Sequence, residues 1–430
     1  MLYHLFEWFT QNGIKFPGSG LLQFITFRVL LAVIFSLVIA TVFGKQMIRY
    51  LTKKQIGESV RELGLEGEKE KRGTPTMGGI IILLAILIPT LLLADLTKVY
   101  IRLMLLSTVW LGVIGFVDDY LKIRAKRVAK TKGIDYKKTD ADGLAGKFKI
   151  FGQIMLGIII GATLYFNESV VVKREIVSNM NQMQRGEKKI KEDTVTTAGI
   201  THRFVTVKTP ITTIPFVKTH EFNYARLLPK SLENYTSVLY ILIVIFIVTA
   251  VSNGANITDG LDGLATGVSA IIGLCLGVFV FVSGSVTIAD YLNIMYIPNL
   301  SELAIFIAAF VGGCIGFLWY NAYPAQVFMG DTGSLALGGI IASLAIIVRK
   351  ELLIPIFCFV FLIENLSVMM QVVYFKYTKK KYGEGKRIFL MSPLHHHYQK
   401  KGYHESKIAV RFWVVTILCV VFAVVTLKLR

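Results

Sequence analysis

The chain has 430 residues, of which 54% are hydrophobic and only 17% are charged. Soluble domains carry about a quarter charged residues, and here the apolar residues fall in long unbroken blocks, which excludes a soluble globular protein. The formal net charge of +19 would suit nucleic-acid binding, but most lysines and arginines flank apolar blocks. We therefore expect membrane topology and contact with anionic lipids or phosphorylated substrates, and no nucleic-acid partner.

The first twenty residues, with Glu7, Lys15 and Pro17, lack the basic start, the short apolar stretch and the small-residue cleavage site of a secretory signal. We expect no cleavable signal peptide. The four cysteines each lie alone in a different apolar block, so we interpret them as small core residues and not as disulfide or zinc ligands. They are Cys275, Cys314, Cys358 and Cys419.

Ten apolar segments predict an all-α polytopic membrane protein with about ten transmembrane helices. They cover residues 21–43, 78–94, 99–117, 148–166, 236–252, 264–283, 301–319, 333–348, 353–375 and 408–427. The loops after the first, third and ninth segments are densely basic, whereas loops such as 95–98 and 284–300 are nearly free of positive charge. By the positive-inside rule the basic loops are cytoplasmic, and an even number of spans puts both termini on the extracytoplasmic side.

Residues 167–235 form a polar, lysine-rich insertion between spans four and five, on the predicted extracytoplasmic side. Segments longer than about 60 residues translocate largely regardless of their charge, so the insertion does not overturn the topology. Alternating polar and apolar residues at 203–207 and 209–217 indicate short strands. We predict one membrane-embedded domain over 1–430, with a small β-containing insertion.

Five clusters of unusual polar residues all fall on the predicted cytoplasmic face. They are residues 74–79, 118–120, 253–263, 328–333 and 393–398. A cluster taken alone has a plainer explanation, since an aspartate pair at a helix end often marks the water boundary and an Asn- and Asp-rich loop often forms a turn. Five of them on one face are better explained by one shared site.

The chemistry of these clusters suits a cation and a phosphate. Asp118 and Asp119 are adjacent, and two carboxylates about 4 Å apart repel by about 4 kcal/mol at an effective dielectric of 20, so they share a proton or hold a cation. Asp331 lies between two glycines, and Mg²⁺ commonly binds one or two carboxylates together with substrate phosphates. The loop 253–263 lacks the ligand spacing of a calcium loop.

Three consecutive histidines, His395, His396 and His397, make a poor metal chelate, because residues on one helix face recur three or four apart. We interpret them as imidazoles that contact phosphate or orient a carboxylate. Glu364 and Asn365 lie inside the ninth span, where polar groups usually face a cavity or the interior of the bundle.

Together the blocks 74–79, 118–120, 253–265, 328–339 and 387–398 resemble the polyprenyl-phosphate N-acetylhexosamine-1-phosphate transferases. The segment 390–398, with its triple histidine, and residues 410–413 are similar to the members that use a muramoyl-pentapeptide donor. The similarity extends over nearly the whole chain. The insertion 167–235 departs from it, because it is longer than the family usually carries.

The resemblance implies that undecaprenyl phosphate attacks the β-phosphorus of UDP-N-acetylmuramoyl-pentapeptide. UMP leaves, and the first lipid-linked peptidoglycan precursor, lipid I, is formed. It also implies a Mg²⁺ cofactor, a homodimer, and a multi-pass enzyme of the bacterial inner membrane with its active site facing the cytoplasm. Direct attack is favoured over an aspartyl intermediate, because a phosphate monoester is already largely ionised at pH 7.

Carried over to this chain, the resemblance implies that Asp331 binds the metal and that Asp118 acts as the base, with Asp119 beside it. It also implies a catalytic role for His395. Phe328 would stack on uracil. The substrate-binding residues that it implies are Lys71, Thr76, Lys122, Lys126, Lys147, Asn253, Asn256, Asp259, Asp262, Phe328, Gly330, Gln371, His396 and His397.

Three other functions fit parts of the pattern. A related transferase would use UDP-N-acetylglucosamine, although the triple-histidine segment argues against it. A secondary transporter would also carry membrane carboxylates, but near the midplane on broken helices, whereas these lie at helix ends. A non-catalytic membrane scaffold leaves the five clusters unexplained.

Overall fold

The structure is a computed structural model, and it describes residues 1–14, 19–54, 73–131, 144, 146–175, 185–197, 200–217, 221–292 and 294–428. Lys71 lies outside the described residues, and so does the side chain of Lys126. Nothing further follows for these two predicted substrate-binding residues.

Helices make up most of the described chain. They are α1 Leu2–Gln11, α2 Ile25–Val38, α3 Gly44–Lys53, α4 Gly79–Leu93, α5 Val99–Thr131, α6 Gly146–Phe166, α7 Thr236–Thr258, α8 Leu264–Gly284, α9 Val286–Leu292, α10 Leu303–Asn321, α11 Gly330–Ile347, α12 Ile354–Phe357, α13 Phe359–Tyr382, α14 Leu394–Lys400 and α15 Glu405–Val425. A π-helical turn, Ile39–Phe43, joins α2 to α3, so these two form one continuous span.

The predicted helical membrane fold is confirmed. In the part of the chain that the structure describes, nine helices are long and apolar enough to cross a membrane, and α4 is a shorter apolar helix. Each of these ten corresponds to one of the ten apolar segments predicted from the sequence. The fold is therefore an all-α polytopic membrane protein with a small insertion.

Two predicted boundaries were wrong in the same way. Asp118 and Asp119 do not end span three, because α5 continues to Thr131. The stretch 253–263 is not one loop, because α7 continues to Thr258. In both places hydrophobicity ends at the water boundary while the backbone keeps its helical hydrogen bonds, so an apolar block marks the membrane and not the helix.

Helix α11 lies at the centre of the bundle. Of the residues in its apolar stretch, 89% are buried, compared with 22% in the apolar stretch of the first span. Glycines allow its neighbours to approach closely: a Cβ on Gly338 of α11 would lie 2.6 Å from Ser252 Cα of α7, and one on Gly115 of α5 would lie 2.2 Å from the Asp331 backbone oxygen. Close packing against α5 and α7 therefore fixes the position of the first residues of α11.

The insertion contains the predicted strands. An antiparallel sheet has the order β1-β3-β2, with β1 Val172–Glu175, β2 Lys188–Thr197 and β3 Ile200–Lys208. A second pair joins β4 Ile211–Thr213 to β5 Glu221–Asn223. The strand predicted at 203–207 is confirmed within β3, whereas the one predicted over 209–217 is wrong in extent, because only 211–213 is a strand.

Chain direction separates the two ends of the bundle. Helix α6 begins at Gly146, beside the aspartates of α5, and ends at Phe166, next to the insertion. Helix α11 begins at Gly330 and ends near Arg349, whose carbonyl accepts a hydrogen bond from Thr213 in the insertion. The aspartate cluster and the insertion therefore lie at opposite ends of the same helices, about 27 Å apart along α11 at 1.5 Å per residue.

Candidate active site

Three aspartates converge at one end of the bundle. One carboxylate oxygen from each of Asp118, Asp119 and Asp331 lies within 4.8 Å of the other two. Asp118 and Asp119 are consecutive on α5, and Asp331 is the second residue of α11. Residues more than 200 positions apart in the sequence therefore form one acidic cluster, as the prediction of a shared site required.

Two lysines bridge this cluster. Lys122 Nζ lies 2.6 Å from Asp118 Oδ2 and 2.9 Å from Asp331 Oδ2. Lys149 Nζ lies 2.7 Å from Asp118 Oδ2 and 2.5 Å from Asp331 Oδ2. Both ammoniums therefore reduce the repulsion between the carboxylates, and both remain partly exposed to an incoming anion.

Asp119 holds the start of α11 in place. Its Oδ2 accepts hydrogen bonds from the backbone N–H and the hydroxyl of Thr332, at 2.9 and 2.6 Å, and its Oδ1 accepts one from Asp331 N–H at 3.2 Å. A carboxylate at this position satisfies N–H groups that the first turn of a helix leaves without partners. Asp119 thus orients Asp331.

Gly330 lets the chain turn into α11 against Asp119. Its φ is +72°, a region that residues with a side chain adopt at a cost. A Cβ there would lie 2.6 Å from Asp119 Oδ2 and 3.1 Å from Thr76 Oγ1. The predicted residues Thr76 and Gly330 therefore lie directly beside the acidic cluster.

The block 74–79 pairs with the block 328–333. Phe328 N–H donates to Pro75 C=O, and Gly78 N–H donates to Phe328 C=O, each at 2.8 Å. Phe328 is half-buried. These backbone bonds hold Phe328, the predicted uracil-stacking residue, two positions before Gly330 at the start of α11.

Helix α7 brings amides to the site. Asn256 Nδ2 donates to Asp331 Oδ1 and to Ser334 Oγ, each at 2.8 Å. Asn253, one turn earlier, instead exchanges hydrogen bonds with Gln153 of α6. Asp259 follows the last residue of α7 and is half-buried. Asn256 therefore contacts the aspartate cluster directly, whereas Asn253 contacts α6.

The three histidines have three different environments on α14. His395 is buried, and its Nδ1 lies 3.1 Å from Glu364 Oε2. His396 Nδ1 lies 2.6 Å from Gln399 Oε1. His397 Nδ1 accepts a hydrogen bond from Leu390 N–H, and burial together with the Lys401 ammonium lowers the pKa of its imidazole. Each histidine therefore has a different hydrogen-bond partner, although the His395 and His396 rings are in contact, with centroids 4.3 Å apart.

Glu364, a polar residue within the ninth span, contacts His395. Its carboxylate accepts the His395 backbone N–H at 3.2 Å as well as facing the imidazole. The other ring nitrogen, Nε2, lies against Gly260, where a Cβ would approach it to 2.2 Å. Glu364 therefore links α13 to the histidine helix and to the loop after α7.

Two predicted substrate residues hold the backbone of nearby loops. Gln371 Oε1 accepts hydrogen bonds from Ile388 N–H at 3.1 Å and Phe389 N–H at 3.0 Å. Asp262 Oδ2 accepts one from Ala325 N–H at 3.0 Å. Both side chains are buried, so their contacts position the loops around the site.

Sequence reasoning missed Lys149 and chose Lys147 in its place. Lys147 is exposed, whereas Lys149 reaches the carboxylates. The signal that could have found it is helical spacing: Lys149 lies three, four and seven residues before Gly152, Gln153 and Leu156, the buried face of α6. Lys147 does not lie on that face.

The acidic cluster fits a hard divalent cation. Its ligands would be carboxylate oxygens, which Mg²⁺ and Ca²⁺ prefer, and the residues that could hold such an ion are Asp118, Asp119 and Asp331. The adjoining ammoniums of Lys122 and Lys149 suit the negative oxygens of a phosphate. Metal, phosphate and hydrogen-bonding amides would then meet at one end of the bundle.

Comparison with known proteins agrees with this geometry. Residues 101–349 match the glycosyl transferase family 4, and residues 71–83 match signature 1 of phospho-N-acetylmuramoyl-pentapeptide-transferases. Asp118, Asp119, Asn256 and Asp331 all lie in the first match, and Thr76 lies in the second. The matched regions therefore contain the residues that form the cluster.

Curated relatives cover the chain in full. A phospho-N-acetylmuramoyl-pentapeptide-transferase of Flavobacterium psychrophilum is 57% identical over 436 residues, with 100% of both chains aligned. Those of Flavobacterium johnsoniae and Porphyromonas gingivalis are 54% and 51% identical, again with 100% of both chains aligned.

With full-length identity above one half and a family match over more than half of its residues, the chain belongs to glycosyl transferase family 4, among the phospho-N-acetylmuramoyl-pentapeptide-transferases.

Proposed function

We propose that the protein transfers phospho-N-acetylmuramoyl-pentapeptide from UDP to undecaprenyl phosphate, forming lipid I and releasing UMP. An oxygen of the lipid phosphate bonds to the β-phosphorus of the donor. The bond from that phosphorus to the bridging oxygen breaks, and this oxygen leaves with the electron pair on UMP. The pyrophosphate linkage of the UDP donor is thus exchanged for the pyrophosphate linkage of the lipid product.

The observation that carries this proposal is the cluster of three aspartates and two lysines at the end of α5, α6 and α11. Phosphoryl transfer depends mainly on positioning and on neutralising charge. Lys122 and Lys149 would bind the phosphate oxygens. Asn256, whose amide already contacts Asp331, would orient that carboxylate or donate to the nucleotide.

We assign Mg²⁺ to the aspartate cluster. Asp331 would be its main ligand, with Asp118 and Asp119 within reach, and the ion would supply charge neutralisation on the pyrophosphate. The ammoniums of Lys122 and Lys149 lie between Asp118 and Asp331. They would turn toward the phosphates on substrate binding, because each can exchange a carboxylate for a phosphate oxygen.

The contacts of Asp118 favour direct attack by the lipid phosphate over an aspartyl intermediate. Its Oδ2 lies within 2.7 Å of both ammoniums, and its Oδ1 accepts a hydrogen bond from Leu144 N–H at 2.7 Å. Such a carboxylate is a weak nucleophile because its lone pairs are engaged. Enzyme incubated with donor and radiolabelled UMP, without lipid acceptor, should incorporate no label into the donor; an aspartyl intermediate would exchange it.

Donor choice is the experiment that tests the reaction itself. Purified protein with undecaprenyl phosphate should form labelled lipid from UDP-N-acetylmuramoyl-pentapeptide and little from UDP-N-acetylglucosamine. Preference for the second donor would establish the related transferase instead. Release of no UMP from either donor, with solute accumulation in reconstituted vesicles, would establish a transporter.

We further propose that the site faces the cytoplasm of a bacterial inner membrane and that the protein works as a homodimer. The basic segments that follow α3, α5 and α13 in the sequence support this orientation by the positive-inside rule. A cysteine introduced at exposed Lys147 should react with a membrane-impermeant reagent only in inverted vesicles. Light scattering of the purified protein, corrected for detergent, should give the mass of two chains and not one.

A further inference from the structure

A cavity of about 600 Å³ lies at the end of the molecule opposite the aspartate cluster. It is enclosed by the end of α6, the start of α7, the end of α11 and the β2–β3 pair of the insertion. Its charged lining residues are Lys188, Lys189, Lys208, Arg349 and one carboxylate, Glu168, and Thr209 and Tyr240 add hydroxyls. It shares no residue with the site proposed for catalysis.

Positive charge is concentrated around this cavity. Lys188 and Lys208 are directly opposite each other in the antiparallel β2–β3 pair, an arrangement of like charges that destabilises a sheet. Burial and the neighbouring Lys188 ammonium lower the pKa of the Lys208 ammonium, despite the presence of Glu168. A bound anion would relieve this repulsion.

Two buried hydroxyls at the cavity have no hydrogen-bond partner among the described residues. They are Tyr240 Oη and Thr209 Oγ1, on side chains that are 1% and 6% exposed. Buried hydroxyls nearly always find a partner, so a ligand with acceptor atoms is the missing element. The Arg349 guanidinium lies 5.9 Å from the Tyr240 ring and adds a further positive charge beside the hydroxyls.

We propose that this cavity binds a phosphate group between the Lys188–Lys208 pair and the hydroxyls of Thr209 and Tyr240. A phosphate offers several acceptor oxygens and negative charge, which matches two ammoniums and two hydroxyl donors. Phe166, at the end of span four, and Ile190 line the same cavity and are 60% and 48% exposed. Apolar side chains at the rim suit a phospholipid headgroup, and a soluble phosphate has the same charged part.

The test measures the unfolding temperature of the full-length protein in neutral detergent with added phosphatidylglycerol, phosphatidylcholine or inorganic phosphate. Sodium chloride at equal ionic strength controls for screening. A ligand that binds the folded state raises the unfolding temperature. A rise with phosphatidylglycerol alone identifies a lipid headgroup, and a rise with inorganic phosphate as well identifies a site open to soluble phosphate.

Substitutions show whether the rise in unfolding temperature comes from binding in this cavity. Lys188→Gln combined with Lys208→Gln should weaken binding about tenfold or more, as expected for the loss of charged hydrogen bonds. Lys230→Gln, an exposed lysine outside the cavity, should leave binding unchanged. Tyr240→Phe should weaken binding while keeping the ligand-free unfolding temperature. No response above the chloride control, or an equal response in the double variant and the original protein, would overturn the proposal.

Discussion

At the scale of single residues, Lys149 shows that a shift of two positions along a helix decides whether a lysine contacts the aspartate cluster. Its ammonium contacts Asp118 and Asp331, whereas Lys147, two positions earlier on the same helix, is exposed. Two residues that differ by two positions point to different sides of a helix. The pair therefore separates a specific contact from the general positive charge of the region.

Lys149→Gln should lower kcat/KM by about 10²-fold, the order of magnitude for removing one donor that stabilises developing charge. Lys147→Gln keeps every contact of the cluster and should change the rate by less than about twofold, as surface charges contribute little. Steady-state lipid I formation by the two variants measures the difference. Equal losses would show that only the net charge near the membrane matters.

Gly330→Ala should reduce activity strongly, because the new Cβ would clash with Asp119 Oδ2. Gly383→Ala is the matched control, since Gly383 has φ +79° but nothing within 4 Å of an added Cβ. Both variants should lose about 1–2 kcal/mol of stability from the left-handed backbone. Activity normalised to folded protein should fall only for Gly330→Ala; parallel losses would make strain, and not the Asp119 contact, the cause.

At the scale of elements, the site depends on connections that join one helix to another. Glu364 on α13 holds His395 on α14, and His395 lies against Gly260, in the turn between α7 and α8. Sequence reasoning could mark Glu364 as facing a cavity, because a carboxylate inside an apolar span is costly. It could not name the partner, because hydropathy gives the depth of a residue in the membrane but not its direction around the helix.

Glu364→Gln should lower kcat about tenfold while leaving the KM for both substrates nearly unchanged, because the residue positions His395 and does not reach the substrates. Glu364→Asp, which keeps the charge, should recover part of the loss. Glu384→Gln, an exposed carboxylate just beyond α13, is the control. If KM rose as much as kcat fell, Glu364 would be a binding residue.

Helix lengths were the part of each element that hydrophobicity could not predict. Each apolar block matches one helix, but several helices continue beyond their block: α3 ends at Lys53, α5 at Thr131 and α7 at Thr258. These polar extensions carry Lys122 and Asn256 to the aspartates. A helix that continues into water needs no apolar residues there, so hydropathy does not show where it ends. In α5 and α7 the residues that contact the aspartates lie in this polar extension.

At the scale of the whole molecule, a buried ion pair ties the first span to the seventh. Arg28 Nη2 lies 2.7 Å from Glu302 Oε1, and the arginine side chain is 2% exposed. The guanidinium also lies 4.3 Å from the Tyr3 ring. The contact joins residues 274 positions apart, which no local sequence pattern predicts.

Glu302→Gln should destabilise the protein by about 3–5 kcal/mol, because it leaves a buried arginine without its counter-charge. The comparison is Glu233→Gln, which removes the partner of Arg185 in a half-exposed pair and should cost about 0–1 kcal/mol. Thermal unfolding in detergent measures both. Similar shifts in the two variants would mean that the Arg28 pair is solvated in the membrane protein.

The convergence of distant polar clusters was predicted from topology alone. Each pair of membrane-crossing helices brings the chain back to the same side of the membrane, so alternate loops lie on the same face. The individual contacts were not predicted, since Asp119 accepts hydrogen bonds from the backbone N–H and the hydroxyl of Thr332 only after α5 and α11 have packed. Packing of small residues in the central helix decides such contacts, and a single sequence does not state which helices are neighbours.

We propose that the three aspartates form the metal-dependent phosphotransfer site. The decisive measurement is the rate of labelled lipid I formation by Asp331→Asn and by the original protein across a Mg²⁺ titration, with both shown to be folded. We expect Mg²⁺-dependent turnover in the original protein and a loss of about 10³-fold or more in the variant that no Mg²⁺ concentration restores. Turnover within a few-fold of the original would contradict it.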